Sequence, residues 1–332
     1  MSTTLKDVAR EAHVSVASVS RALNGTGVVT ERIRARVLEV AARLHYVPNS
    51  GAQSLIRRRT RMIGVLLPEL QGEYFAELIR GIDVAARAHG LHLLISTSHT
   101  GPEEVGEALR AMVGRVDGLL VMAPHIDEHA LQERLQGTLP VVLMSTVDTE
   151  RTHSAFFIDN AASAYSMVAH LAACGHRFIA HIAGPAGNVD AQERIKGYRD
   201  ALARELPGSR EYLLQGDFTE ESGYRAGREI LAQARRPDAV FAANDMMAIG
   251  CLYALTEAGL TVPKDIALAG FDDIPTARYV SPPLTTVRVK IAELGSRALH
   301  RLAAWIEHPD GPNSFTETVP TDLVVRASCG RP

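Results

Sequence analysis

The sequence predicts an all-α head, residues 1–48, followed by an α/β body of two doubly wound parallel-sheet subdomains. Three observations lead there. Apolar residues of the head recur at three- and four-residue spacing, the period of helices. From Met62 onward, short apolar runs alternate with amphipathic segments, the texture of parallel sheets covered on both faces. The alternation restarts near residue 160 and holds too many strands for one small sheet.

In the head, Leu5, Val8, Ala9 and Ala12 share one face of a first short helix. Ser15 can cap a second, on which Val16, Val19, Ala22 and Leu23 repeat at the same period. The loop Asn24-Gly25-Thr26-Gly27 follows, and Thr30 is a candidate cap for a third helix. Its stripe is Ile33, Val37, Val40, Ala41 and Leu44, and Pro48 is expected to stop it. A linker over 49–61 then passes through Arg57-Arg58-Arg59-Thr60-Arg61.

In the body, the runs MIGVLL, HLLIS, GLLVMA and VVLM, and then FIAHIAG, AVFAAN and IALAGFD, read as buried strands. Segments 73–89, 103–114, 160–174, 190–204, 219–233 and 245–259 fit the intervening helices. In open sheets of this kind ligands bind beyond the carboxyl ends of the strands. The residues just after each apolar run are therefore the candidate site.

Composition narrows the function. At 46% hydrophobic and 22% charged the chain is of ordinary globular type, which excludes collagen-like, disordered and disulfide-scaffold classes. No apolar run approaches the roughly 18–20 residues that span a bilayer, and the first residues lack a signal-peptide stretch. A cytoplasmic, nucleoid-associated location is expected. Cys174, Cys251 and Cys329 are scattered without C-x-x-C or metal spacing and read as reduced thiols. No metal or cofactor is expected. The net charge of −3 hides a split: residues 1–60 carry ten basic and four acidic side chains, a net +6, against −9 for the rest. A basic head on an acidic body is drawn to nucleic acid by one end only.

Two short helices joined by a tight turn, then a third, make a helix-turn-helix arrangement, whose second helix enters the major groove with its N-terminal residues on base edges. That places Ser15, Val16, Ala17 and Ser18 against DNA, with Ser20, Arg21 and Asn24 farther along. Arg21 is the candidate for a bidentate contact to guanine, and Val16 and Ala17 suit thymine methyls. The plainer reading of the same residues is a small helical bundle with a solvated basic face.

The stretch TLKDVAREAHVSVASVSRALNG, continuing through His45-Tyr46-Val47-Pro48-Asn49, resembles the start of the LacI-type bacterial transcriptional regulators, and the resemblance covers essentially the whole chain. It implies that Thr4, Tyr46, Asn49 and Ser54 also meet DNA. It also implies that 49–61 holds a hinge helix formed on the operator, with Leu55 of Ala52-Gln53-Ser54-Leu55 wedged into the minor groove. Two residues depart from the pattern. His13 stands at a turn position that can need positive φ, a region histidine tolerates. Gly51 should cost the hinge helix about 1 kcal/mol of propensity relative to alanine.

For the body, the resemblance implies a core like the periplasmic sugar-binding proteins, with a small-molecule effector between hinged subdomains. The residues it singles out follow apolar runs: Phe75, Asn188, Asp190, Arg194, Phe218, Asn244 and Asp272. Asp190 to Arg194 form a D-A-x-x-R segment of the kind found in galactose repressors. An arginine, carboxylates, amides and flat rings suit a neutral polyhydroxylated ligand, most simply a sugar. Singly, Asp190 with Arg194 could be a surface ion pair and Asp272 a turn residue. The segment Pro282 to Val287 resembles the family's P-x-L-T-T crossover back to the first subdomain, with further crossings near 159–162 and 318–322. The expected subdomains are 62–160 plus 290–318, and 161–289 plus 319–332.

The resulting expectation is a homodimeric repressor of carbohydrate-utilisation genes on a pseudo-palindromic operator, responding to a bound sugar. With so little sequence after Leu323-Val324-Val325-Arg326, a tetramer built on a C-terminal helix is not expected. The alternatives are a sugar-binding protein or a sugar-processing enzyme without operator function. No G-x-G-x-x-G, Walker loop, H-E-x-x-H or G-x-S-x-G occurs, so an enzyme is not expected. His125 and His129, at i and i+4, could be metal ligands on a helix but read better as surface histidines. Asp272 and Asp273, being adjacent, make a weak acid–base pair.

Overall fold

The computed structural model of the chain describes residues 3–24, 28–46, 59–98, 101–126, 128–135, 139–145, 153–309 and 315–330. The chain forms two compact units, Met1–Thr60 and Arg61–Pro332.

In the first unit α1 (Leu5–Ala12), α2 (Val16–Asn24) and α3 (Glu31–Arg43) enclose a small core of Val8, Ala9, Ala12, Val19, Ala22, Val37, Val40 and Ala41. Thr4 caps α1 in a capping box: its Oγ1 accepts from the Asp7 amide, and its own amide donates to the Asp7 carboxylate. His13 ends α1 at φ 53 and ψ 42, the left-handed conformation the sequence allowed for. Ser15 accepts from the Ser18 amide at 3.1 Å and so caps the start of α2. Thr30 sits at the N-cap position of α3 but makes no side-chain cap bond.

The third helix stops earlier than Pro48 requires. The Leu44, His45 and Tyr46 amides turn back onto Val40, Ala42 and Ala41 carbonyls, with His45 at φ 49. A left-handed turn thus closes α3 after Arg43 by satisfying its last carbonyls, without help from proline. Pro48, Asn49, Gly51, Ser54 and Leu55 lie outside the described residues.

The second unit contains two six-stranded sheets. The first half runs β1 (Met62–Leu67), α4 (Glu73–Ala88), β2 (His92–Thr97), α5 (Pro102–Met112), β3 (Gly118–Val121), α6 (Glu128–Leu135), β4 (Val141–Met144) and β5 (Ser154–Ile158). The second half runs α7 (Asn160–Ala173), β6 (Ile179–Ala183), α8 (Val189–Glu205), β7 (Leu213–Gln215), α9 (Glu220–Leu231), β8 (Ala239–Ala242), α10 (Asp245–Glu257), β9 (Ala267–Asp272) and β10 (Thr285–Val289). Then come α11 (Ile291–Glu307), β11 (Thr316–Val319) and β12 (Thr321–Val324). The sheet orders are β11-β5-β4-β3-β1-β2 and β12-β10-β9-β8-β6-β7. Every described pair is parallel except β10 with β12.

Strands such as β3, β4, β6 and β8 are buried along their whole length, as helices on both faces require. The chain passes between the sheets after Ile158, after Val289 and at Pro320. Thr285, Thr286 and Val287 still pair within the second sheet, so the P-x-L-T-T segment precedes its crossing. The returning helix α11 lies against α4. A Cβ on Gly81 would stand 2.0 Å from the Ala292 carbonyl oxygen, so glycine permits this close approach. Among the described residues no helix is long and apolar enough to cross a membrane.

Candidate functional site

Loops after β1, β3, β6, β7 and β8 meet around a cavity of about 420 Å³, within the roughly 300–1,000 Å³ usual for small-molecule sites. Phe75 and His125 come to its wall from the first half, and Asn188, Asp190, Arg194, Phe218 and Asn244 from the second. The halves also touch directly. The Val189 amide donates to the Pro124 carbonyl at 3.0 Å. The Glu73 carboxylate accepts from the Thr276 amide at 2.9 Å and from the Thr276 hydroxyl.

Arg194 is the hub. Its Nε donates to Asn160 Oδ1 at 2.8 Å, Nη1 donates to the Ala243 carbonyl, and Nη2 stands 3.8 Å from Asp272 Oδ1. The guanidinium lies 3.8 Å over the Phe271 ring, a cation–π arrangement that suits a desolvated arginine. Asn160 Nδ2 donates to Asp190 Oδ1 at 2.9 Å, so Asp190 and Arg194 are linked through Asn160. Arg194 is 4% exposed, which excludes the surface ion pair of the sequence reading.

Asp272 is also 4% exposed and stands beside Arg194, itself part of the cavity wall. Its Oδ1 is buried without a hydrogen-bond partner. Burial pushes its carboxyl up to about 7, against the pull of Arg194 and with a push from Asp190. Burial likewise pushes Asp190 up to about 6, with Arg194 opposing. The Tyr74 hydroxyl is raised by burial and then by the Asp272 and Asp190 charges. Asp273 turns the other way, onto Arg288 at 2.7 Å and Arg326 at 2.5 Å, which hold its carboxyl below the usual range. The two adjacent aspartates therefore share no site.

The amides and rings have structural duties as well. Asn188 and Asn244 cap α8 and α10, accepting from the Ala191 amide at 3.0 Å and the Met247 amide at 2.9 Å. Asn244 also donates to the Phe218 carbonyl at 2.9 Å. Phe218 adopts φ 71, and its ring packs over Gly184, where a Cβ would come within 2.4 Å. Phe75 meets Tyr74 edge to face with centroids 5.3 Å apart.

Two groups at or behind the wall escape a reading of the sequence. Asn160 carries no signal, being thirty residues upstream of its partners at the start of a helix. His125 is no surface histidine: it is half-buried in the wall, and its Nε2 is buried without a hydrogen-bond partner. Burial lowers its pKa, with Glu104 opposing, so it presents a neutral imidazole. His129 belongs to α6, exposed beside Glu133 at 3.9 Å, whereas His125 precedes that helix. The two do not share a helix face.

The raised carboxyls give a pH dependence. Between about pH 4, the ordinary aspartate range, and about pH 7 the folded core holds protons on Asp190 and Asp272 that the unfolded chain has released. Their contribution to stability is largest at the acid end of that window and falls as pH rises. Asp273 acts in the opposite sense, at lower pH, where protonation breaks its ion pairs. Thermal melts of the ligand-free protein against pH should therefore flatten between about pH 4 and 7 on Asp272→Asn, which removes the larger of the two contributions. An unchanged profile would show that Asp272 does not titrate there.

In the head, Ser15, Val16, Ala17 and Arg21 are exposed, Ser18 and Ser20 half-buried, and Val19 and Ala22 buried. Val16 belongs to the outward face, 41% exposed, and not to the apolar stripe. Asn24 ends α2. Thr4 is exposed but engaged in its cap, and Tyr46 packs against the head core. Two head arginines are held in ion pairs, Arg10 with Asp7 and Arg43 with Glu11, each at 2.7 Å.

A three-helix unit whose second helix has an exposed face, followed by an α/β unit of two sheets with a cleft lined by charged, amide and aromatic side chains, defines a helix-turn-helix protein with a small-molecule receptor core. Residues 4–49 match the bacterial regulatory proteins of the lacI family, and residues 168–329 match the periplasmic binding protein-like domain. Catabolite control protein A of Priestia megaterium is 33% identical over 320 residues, 96% of either chain. A crystal structure of the Lac repressor dimer bound to operator and the anti-inducer ONPF superposes with a TM-score of 0.89 at 29% identity, covering 99% of both chains. The transcriptional regulator CelR in complex with cellobiose gives 0.73 at 32% identity, covering 98% of this chain and 99% of that one. The chain belongs to the lacI family of bacterial regulatory proteins.

Proposed function

We propose that the protein is a sequence-specific transcriptional repressor of carbohydrate-utilisation genes whose operator affinity is set by a sugar bound in the cleft. The network Asp190–Asn160–Arg194–Asp272 carries this reading, because it is charged, buried except at the half-buried Asp190, and incompletely satisfied at the wall of a small-molecule cavity. Vicinal hydroxyls can donate to Asp190 and accept from Arg194 and His125, while Phe75 and Phe218 offer flat faces to sugar C–H groups. The Lac repressor and CelR complexes support a ligand of this kind.

The working unit is a cytoplasmic homodimer on a pseudo-palindromic operator. Each α2 enters a major groove through Ser15, Val16, Ala17, Ser18, Ser20, Arg21 and Asn24, and Thr4, Tyr46 and Asn49 flank it. Ser54 and Leu55 of the two hinge segments occupy the minor groove between them. Ligand acts on the contacts that join the halves, Glu73 with Thr276 and Val189 with Pro124, and changes the angle between subdomains. The expected subdomain partition, 62–160 plus 290–318 against 161–289 plus 319–332, gives that motion its two bodies. A thermal-shift screen against mono- and disaccharides, followed by operator binding with the hit, is the test. A sugar that stabilises the protein and releases operator supports the reading, and one that leaves operator affinity unchanged removes it.

A further inference from the structure

The three cysteines look scattered in sequence, yet the fold brings two of them onto one histidine. His170 and Cys174 are four residues apart across the end of α7, so both side chains leave on the same side. Cys329 arrives from the other end of the chain, in the 3₁₀ turn Ala327–Cys329 that follows β12. His170 Nε2 lies 3.5 Å from each sulfur, and the three donor atoms all fall within 4.8 Å of one another. A tetrahedral zinc ion, with bonds of about 2.3 Å to sulfur and about 2.0–2.1 Å to nitrogen, sets such a pair of ligands about 3.6 Å apart.

We propose that His170, Cys174 and Cys329 form a zinc(II) site that fastens the C-terminal turn to α7. The donor set is of the Cys₂His type that zinc accepts, with a fourth position left for water. The site is built before any ion arrives. The Ser328 hydroxyl donates to the Leu268 carbonyl at 2.6 Å and accepts from the Thr285 amide at 2.8 Å, fixing the residue before Cys329. His176 Nε2 lies 3.1 Å from the Cys329 carbonyl, a bond to the ligand residue's own backbone that steadies its position. Cys329 is buried, whereas His170 and Cys174 are half-buried, which leaves a route in from solvent. Binding deprotonates both thiols, so about two protons per ion pass to solvent.

The test uses reduced, metal-stripped full-length protein titrated with cobalt(II) and then zinc(II). We expect one equivalent of cobalt with a thiolate-to-cobalt charge-transfer band, bleached by zinc, and a rise in melting temperature with zinc. Cys174→Ser, Cys329→Ser and His170→Gln should each lose the band or weaken binding at least tenfold, and Cys251→Ser should keep it. Circular dichroism checks each fold, and Cys174→Ser, at a half-buried position, is the variant expected to fold in any case. Absence of the band overturns the proposal, as does cobalt binding of undiminished affinity in Cys174→Ser. A Cys174–Cys329 disulfide forming in air, in protein that takes no cobalt when reduced, also overturns it and makes the cluster a thiol pair.

Discussion

Replacing Arg194 with alanine is expected to abolish sugar binding and to destabilise the core by about 3–5 kcal/mol, the usual cost of stranding a buried charge. The substitution leaves Asp272 without its counter-charge and removes the donor to Asn160, so Asp190 loses the partner that orients its neighbour. The free carboxyls should respond by binding protons at still higher pH. Asp272→Asn is the companion variant, since it removes the stranded charge at constant size. The double variant should recover part of the lost stability without recovering sugar binding. Operator binding should survive both, because the head is a separate compact unit with its own core. Sugar binding by the folded Arg194→Ala protein would remove Arg194 from the site.

The second large effect belongs to α2. Arg21→Ala should weaken operator binding by about 1–3 kcal/mol for each bidentate arginine–guanine pair it removes, roughly fivefold to 150-fold. The loss should fall on one base pair in each half-site, where discrimination relaxes, while the affinity for sugar stays as it was. An arginine that touched phosphate alone would behave differently. Its removal would weaken binding to all sequences equally and lower the salt slope by about one. Comparison of operator variants at fixed salt separates the two, and uniform weakening would take Arg21 off the base edges.

Much of this architecture is legible in the residues because local rules and tertiary packing agree. The apolar runs at 62–67, 118–123 and 239–243, too short for helices and alternating with amphipathic segments, read as strands buried on both faces, and the structure has strands there. His13 in a left-handed turn follows from a residue tolerant of positive φ between two helical stripes. The misses have physical causes too. The strands Ser154–Ile158, Thr285–Val289 and Thr316–Val319 mix polar and apolar residues, and their pairing is set by distant neighbours. Helix α3 ends by satisfying its own carbonyls, a device that Leu44 and His45 do not announce.

At the site the same division holds. Arg194 and Asp190 are visible in sequence because both lie in one segment after a strand. Asn160, which joins them, comes from the segment where the chain crosses between sheets, and His125 faces the cavity from the other half. The family pattern points to Asp272, and the structure sets its carboxylate 3.8 Å from Arg194. The charge split read from the first sixty residues corresponds to the boundary between the two compact units at Thr60. Cys174 and Cys329 meet only once the whole chain has folded.

Calorimetric titration of the identified sugar into the protein, free and saturated with operator, joins both halves of this mechanism in one number. Coupling between sites is reciprocal, so operator should weaken sugar binding by the factor with which sugar weakens operator binding, roughly 5–150-fold for couplings of about 1–3 kcal/mol. Equal sugar affinity in the two titrations would contradict the mechanism.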